Sequence, residues 1–159
     1  MHDAVGSKAG YFDRFGGLPG GEDRPRARRE QLACEALIRQ RNQHLEESPD
    51  DYPELDLLYH IGNGGKRTTG SGKVMKRMGV KKGMPDYHLP VGRGGYLSLY
   101  IEMKDSANGR VLPHQKAVHE SLLSLGNQVL ICFGCEEAWA ALLRYLDLPP
   151  TVSLPGESE

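Results

Sequence analysis

Residues 83–104 read GMPDYHLPVGRGGYLSLYIEMK. The stretch holds two short apolar runs, each with a carboxylate at one end. Asp86 opens the first run, directly after Pro85, and Glu102 closes the second, two residues before Lys104. DYHLPV predicts a short strand, VGRGG a tight turn and YLSLYIEMK a strand rich in β-formers, together a hairpin. Charge is costly to bury without compensation, so acids at the ends of adjacent strands need a reason. Two carboxylates brought close repel unless a cation lies between them or one carries a proton. Oxygen donors without a His or Cys companion suit Mg²⁺ or Mn²⁺, and the main-chain carbonyl of Met103 offers a further ligand. Lys104 alternates with Glu102 along the strand, so both side chains point to one face. An ammonium there can stabilise charge developing on a phosphoryl group. An ordinary surface ion pair satisfies the ExK spacing equally well, so the pattern gains meaning only from its surroundings.

Working outward, the chain of 159 residues suits one domain with a real core. Residues 1–25, rich in Gly, Pro and charge, predict an irregular or mobile arm, and residues 149–159 a fraying tail. The domain between them, 26–148, opens with RARREQLACEALIRQRNQHLE, which lacks Gly and Pro and predicts a helix over 26–46. SPDDYPE reads as a loop, LDLLYHI as a short strand, GNGGKRTTGSG as a flexible turn and KVMKRMG as a short basic helix ended by Gly79. After the hairpin, Pro113 suits the first turn of a helix to about Leu125, with Val118, Leu122 and Leu125 as its apolar stripe. QVLICF predicts a strand and CEEAWAALLRYL a final helix. The order α, β, (α), β, β, α, β, α indicates an α/β fold, a small mixed sheet flanked by helices.

Net charge is −1, but the charges are unevenly spread. Between Leu57 and Pro85 there is no acid, while Lys66, Arg67, Lys73, Lys76, Arg77, Lys81 and Lys82 are basic. A solvated face explains such a run, and so does a phosphate-binding surface leading into Asp86. No window approaches the roughly 18 apolar residues of a membrane span, and MHDAVGSKAGYFDRFGG lacks the apolar region of a secretory signal. The expectation is a cytoplasmic protein whose cysteines, Cys34, Cys132 and Cys135, are reduced thiols. Cys132 and Cys135 form a CxxC, but no further pair of zinc ligands accompanies them.

The motifs together resemble a known family. GMPD, then IEMK, then a Gln at the start of the next helix resembles the VRR-NUC family of the PD-(D/E)xK nuclease superfamily. PELDLLYHIGNGGKR (53–67) is similar to the PELxLLxxIPNGGxR of small phage and bacterial members. GMPDYHLPVGRGGYLSLYIEMK is similar to GVPDLxLPVxRxGYxGLYIEMK, and RVLPHQKAVHESLLSLGNQVLICFG (110–134) to xLSxxQxxxxxxLxxxGYxVxVxxG. The resemblance spans roughly residues 28–146.

It implies a restriction-endonuclease-like core and a metal-dependent endonuclease using Mg²⁺ or Mn²⁺. Asp86, Glu102 and Lys104 would be its PD-ExK residues, Asp86, Glu102 and Met103 its metal ligands, and Gln115 its helix glutamine. The family's first-helix glutamate falls on Glu30 when ALIR is aligned with the usual apolar block, or on Glu35 in another register. Cys34 stands where a Gln often follows, Gly62 replaces a Pro and Asn127 a Tyr. His60 and His114 are expected to be structural. Asn63, Lys66, Arg67, Lys73, Lys76, Lys81 and Lys82 would meet DNA phosphates. The family also implies homodimers acting on branched DNA such as Holliday junctions, in a bacterial or phage-infected cell. A flap or non-specific nuclease of the same fold, a DNA-binding module without catalysis and an α/β small-molecule domain using the CxxC are the other readings.

Overall fold

Helix α1, Arg26–Glu47, forms because nothing in its sequence breaks it and because Ala33, Ala36 and Leu37 share one buried face. The computed structural model describes residues 26–62 and 69–151; the arm at 1–25, residues 152–159 of the tail, and Asn63, Lys66 and Arg67 lie outside them. Four strands follow: β1 (Tyr59–His60), β2 (Tyr87–Leu89), β3 (Leu99–Lys104) and β4 (Gln128–Phe133). They lie in the order β1-β2-β3-β4, with the first two pairs antiparallel and β3–β4 parallel. Three further helices are α2 (Thr69–Arg77), α3 (Pro113–Ser124) and α4 (Cys135–Leu146). A parallel pair needs a crossover connection, and α3 supplies it. The sheet is therefore mixed and the fold α/β, as expected.

The core fills one face of the sheet. Leu99, Ile101 and Met103 of β3 meet Leu37 of α1 and Ala138, Ala141 and Leu142 of α4. Alternation sends Tyr100, Glu102 and Lys104 to the opposite face, where α3 lies against the β3–β4 pair. No helix among the described residues is long and apolar enough to cross a membrane.

Several elements differ from the sequence reading, each for a local reason. The strand expected over 55–61 is a 3₁₀ helix at Pro53–Leu57 followed by only two strand residues. Pro53 stands at its first turn, Tyr52 before it is left-handed at φ 56°, and Leu55 and Leu58 point into the core. Helix α2 begins at Thr69, inside the expected turn, despite two glycines. Strand β2 stops at Leu89 because Pro90 cannot continue the ladder, and β3 starts only at Leu99. The hairpin is thus antiparallel as expected, but its connection is residues 90–98 rather than VGRGG alone. That connection is tied down: Arg93 pairs with Glu54, and Leu97 N–H donates to Gly126 O. At the described start of the tail, Thr151 N–H donates to Gly92 O and Arg93 bridges to Pro150. In α3, Val118 and Leu122 are half-buried and Leu125 is 69% exposed; the residue buried on that helix is His119.

Leu142→Ala should cost about 2–5 kcal/mol, because Leu142 is fully enclosed between α1 and β3. Leu125→Ala should stay within about 0.5 kcal/mol. Urea unfolding of both variants checks the contrast.

Candidate active site

The register of the β2–β3 pair sets the site. Tyr87 pairs with Ile101, so one residue further along the antiparallel pair Asp86 stands opposite Glu102. Asp86 N–H donates to Ile101 O at 2.9 Å, while its side-chain Oδ2 accepts from Met103 N–H at 2.7 Å. That second bond turns the Asp86 carboxyl along β3, toward the backbone between Glu102 and Lys104. Burial, then the neighbouring charge of Glu102, pushes the Asp86 carboxyl up to about 7.

Glu102 and Lys104 lie on the α3 side of β3, 2% and 4% exposed. Lys104 Nζ is 2.9 Å from Glu102 Oε1 and donates at 3.0 Å to Gln115 Oε1. Leu112 N–H also donates to Gln115 Oε1, at 3.0 Å, satisfying an N-terminal donor of α3. With its oxygen receiving two donors, the Gln115 amide is oriented so that Nε2 donates to Glu102 Oε1 at 2.7 Å. Glu102, Lys104 and Gln115 thus form one closed triangle. The start of α3 is kept in place by the Gly83 turn: Gly83 has φ +90°, and a Cβ there would lie 2.7 Å from His114 O. No residue but glycine fits that approach without a shift.

From α1 comes Glu30, whose Oε1 accepts from Asp105 N–H at 3.3 Å and whose charge contributes to the raised Asp86 pKa. Glu35 instead accepts from Gln31 on an exposed turn, so the first-helix carboxylate nearest Asp86 is Glu30. Arg29 pins this end of α1 through a 2.8 Å ion pair with Asp105, which is 3% exposed and held well below the usual carboxylate range by that arginine. Cys34, one turn beyond Glu30, borders a cavity of about 480 Å³ that is also lined by Ile38, His60 and Tyr87. Burial pushes its thiol up to about 12, and burial does the same to Cys132. Both are therefore poor nucleophiles, which leaves the CxxC little chemistry.

The structure brings Glu30, Asp86, Glu102, Lys104 and Gln115 around the open end of the β2–β3 pair, with the Met103 backbone between them. Lys73, Lys76, Lys81 and Lys82 are exposed on α2 and the segment that feeds Asp86. Two participants were not foreseen. His119 is 5% exposed, with Nε2 3.2 Å from Glu102 Oε2; its position four residues after Gln115, on the same helix face, was the available signal. The Arg29–Asp105 pair joins residues 76 apart in sequence, and no local pattern announces it. No group of three or more His, Cys, Asp or Glu side chains with metal-holding geometry lies among the described residues.

Two predictions concern this geometry. Gly83→Ala should destabilise by about 1–3 kcal/mol by straining the turn, measurable by thermal unfolding. The Asp86 carboxyl titrates near 7 in the fold against 3.8 ordinarily, so keeping it ionised opposes folding. That cost is absent below about pH 3.8 and reaches full size as pH rises through 7. In metal-free protein, Asp86→Asn should therefore stabilise at pH 8 by roughly 1–2 kcal/mol more than at pH 4, as read from urea midpoints.

No family model matches the sequence, and no curated protein matches it either. Comparison with solved structures does find a relative. A VRR_NUC domain protein superposes with TM-score 0.62 at 26% identity, covering 86% of this chain and 99% of its own. An alignment that uses 99% of the relative and 86% of this chain relates a whole domain and not a fragment. This likeness supports assigning the chain to the VRR-NUC family.

Proposed function

We propose that the protein is a metal-dependent DNA endonuclease of the PD-(D/E)xK type. The observation that carries this reading is Asp86 held opposite Glu102, with Lys104 on the Glu102 face and Gln115 locking the pair. The VRR_NUC neighbour supports the same chemistry. A carboxyl raised to about 7 by burial and by a second carboxylate marks a place short of positive charge. Mg²⁺ or Mn²⁺ fits that deficit: such ions accept one or two carboxylates and complete their shells with carbonyls, water and phosphate. Asp86, Glu102 and the Met103 carbonyl would hold the ion. When bound, it would supply Lewis-acid polarisation of the phosphodiester.

The chain's own residues do the rest. Lys104 carries three donors, of which Glu102 and Gln115 take two; the third would serve a phosphate oxygen and stabilise charge there. Gln115 keeps the lysine and Glu102 in a fixed relation, and Glu30 braces the chain at Asp105 just beyond them. The exposed Lys73, Lys76, Lys81 and Lys82 would track the DNA backbone without reading bases, with Asn63, Lys66 and Arg67 proposed alongside them. Branched DNA such as a four-way junction is the proposed substrate, and a homodimer the proposed active form, since a symmetric junction offers two equivalent strands to a two-fold protein.

Labelled four-way junctions, flaps, splayed arms and linear duplexes incubated with Mg²⁺ or Mn²⁺ test the reading. Paired symmetric nicks in the junction are expected, and cutting only near free ends would replace the resolvase reading by a flap-type nuclease. Asp86→Ala and Glu102→Ala should each lose at least about 10³-fold in cleavage rate while DNA binding persists. Unchanged cleavage in both would sink the assignment, and DNA binding with no cleavage by the unaltered protein would leave a binding module.

A further inference from the structure

We propose that His119 is a positioning residue for the nuclease reaction, acting through Glu102; the inference rests on the nuclease reading above. Glu102 Oε1 is fixed by Gln115 Nε2 at 2.7 Å and Lys104 Nζ at 2.9 Å. Two donors on one oxygen leave the carboxylate able to swing its other oxygen about them. That second oxygen, Oε2, faces His119 Nε2 at 3.2 Å. Since a carboxylate only accepts, Nε2 must carry a hydrogen, and the contact sets which way the carboxylate plane is turned. Gln115 and His119 are one turn apart, so a single helix face grips both oxygens of one acid.

The burial argues against an incidental contact. His119 is 5% exposed on a helix whose Leu123 and Leu125 are 46% and 69% exposed. An apolar residue would fill that space at lower desolvation cost, whereas an imidazole there supplies a donor that Glu102 uses. A ligand whose orientation is set by such a partner presents its lone pairs to the ion in one direction, and losing the partner typically weakens metal affinity 10–100-fold. His119 thus belongs to the apparatus that aims Glu102 toward Asp86, and it needs no contact with DNA.

The test compares His119→Leu, which keeps bulk without a donor, with His119→Gln, whose amide nitrogen reaches about as far as Nε2. Mn²⁺ binding is measured by calorimetry without DNA, and cleavage of the best panel substrate is followed against Mn²⁺ concentration. For His119→Leu the expected result is about 10–100-fold weaker Mn²⁺ binding, with a matching rise in the Mn²⁺ needed for cleavage and an unchanged KM for DNA. His119→Gln should recover to within about threefold of the unaltered protein. Unaltered Mn²⁺ affinity in His119→Leu overturns the inference. Equal losses in both variants, with equal falls in Tm, overturn it too, because they assign His119 to packing. Should the unaltered protein bind Mn²⁺ yet cleave no DNA, the nuclease reading fails while the calorimetric comparison still decides whether His119 orients Glu102.

Discussion

Enclosing a carboxylate as Glu102 is enclosed costs free energy unless donors replace the water it has lost. Lys104 and Gln115 meet one of its oxygens and His119 the other, and two of those three residues sit on α3. The parallel β3–β4 pair requires that helix as its crossover, so the topology itself delivers the donors. The antiparallel register on the other side of β3 then sets Asp86 opposite Glu102. The Asp86 side chain accepts from the Met103 amide, and burial, then the neighbouring charge of Glu102, pushes its carboxyl up. Fold and electrostatics converge on one place where charge has been concentrated and left short of compensation.

Much of this was readable beforehand because the informative residues lie close together in sequence. Asp86, Glu102 and Lys104 fall within one predicted strand pair, and strand alternation alone assigns Glu102 and Lys104 to one face. Gln115 was legible because Pro113 marks where its helix begins. The mixed sheet and the order of helices followed from the apolar periodicities of QVLICF and CEEAWAALLRYL. Less legible were places where packing overrules local preference. Pro53 and the pull of Leu55 and Leu58 into the core turn an apparent strand into a 3₁₀ helix. The expected apolar stripe of α3 loses Leu125 to solvent and buries His119 instead, because that helix is placed to serve Glu102 and not to fill a core.

The choice between Glu30 and Glu35 shows a different limit. Both are acids on one helix, five positions apart, and hydrophobic periodicity cannot rank them when an apolar face is flanked on both sides. What separates them is the Arg29–Asp105 ion pair, which ties the first turns of α1 to the chain just after Lys104. A charged pair closing a loop of that length is decided by tertiary structure alone.

These separations carry a consequence for how the protein comes together. The bonds that Gln115 and His119 make to Lys104 and Glu102 close loops of 11 to 17 residues, and Asp86 reaches Met103 across 17. Glu30 and Arg29 reach Asp105 only across 75 and 76. Short closures cost less chain entropy and form sooner than long ones. A chain emerging from synthesis would hold four of its five candidate residues in one contiguous span, 86–115, and would wait for α1 to dock before the fifth arrived. Of the elements that build the site, α1 is synthesised first and closes onto it across the longest separations.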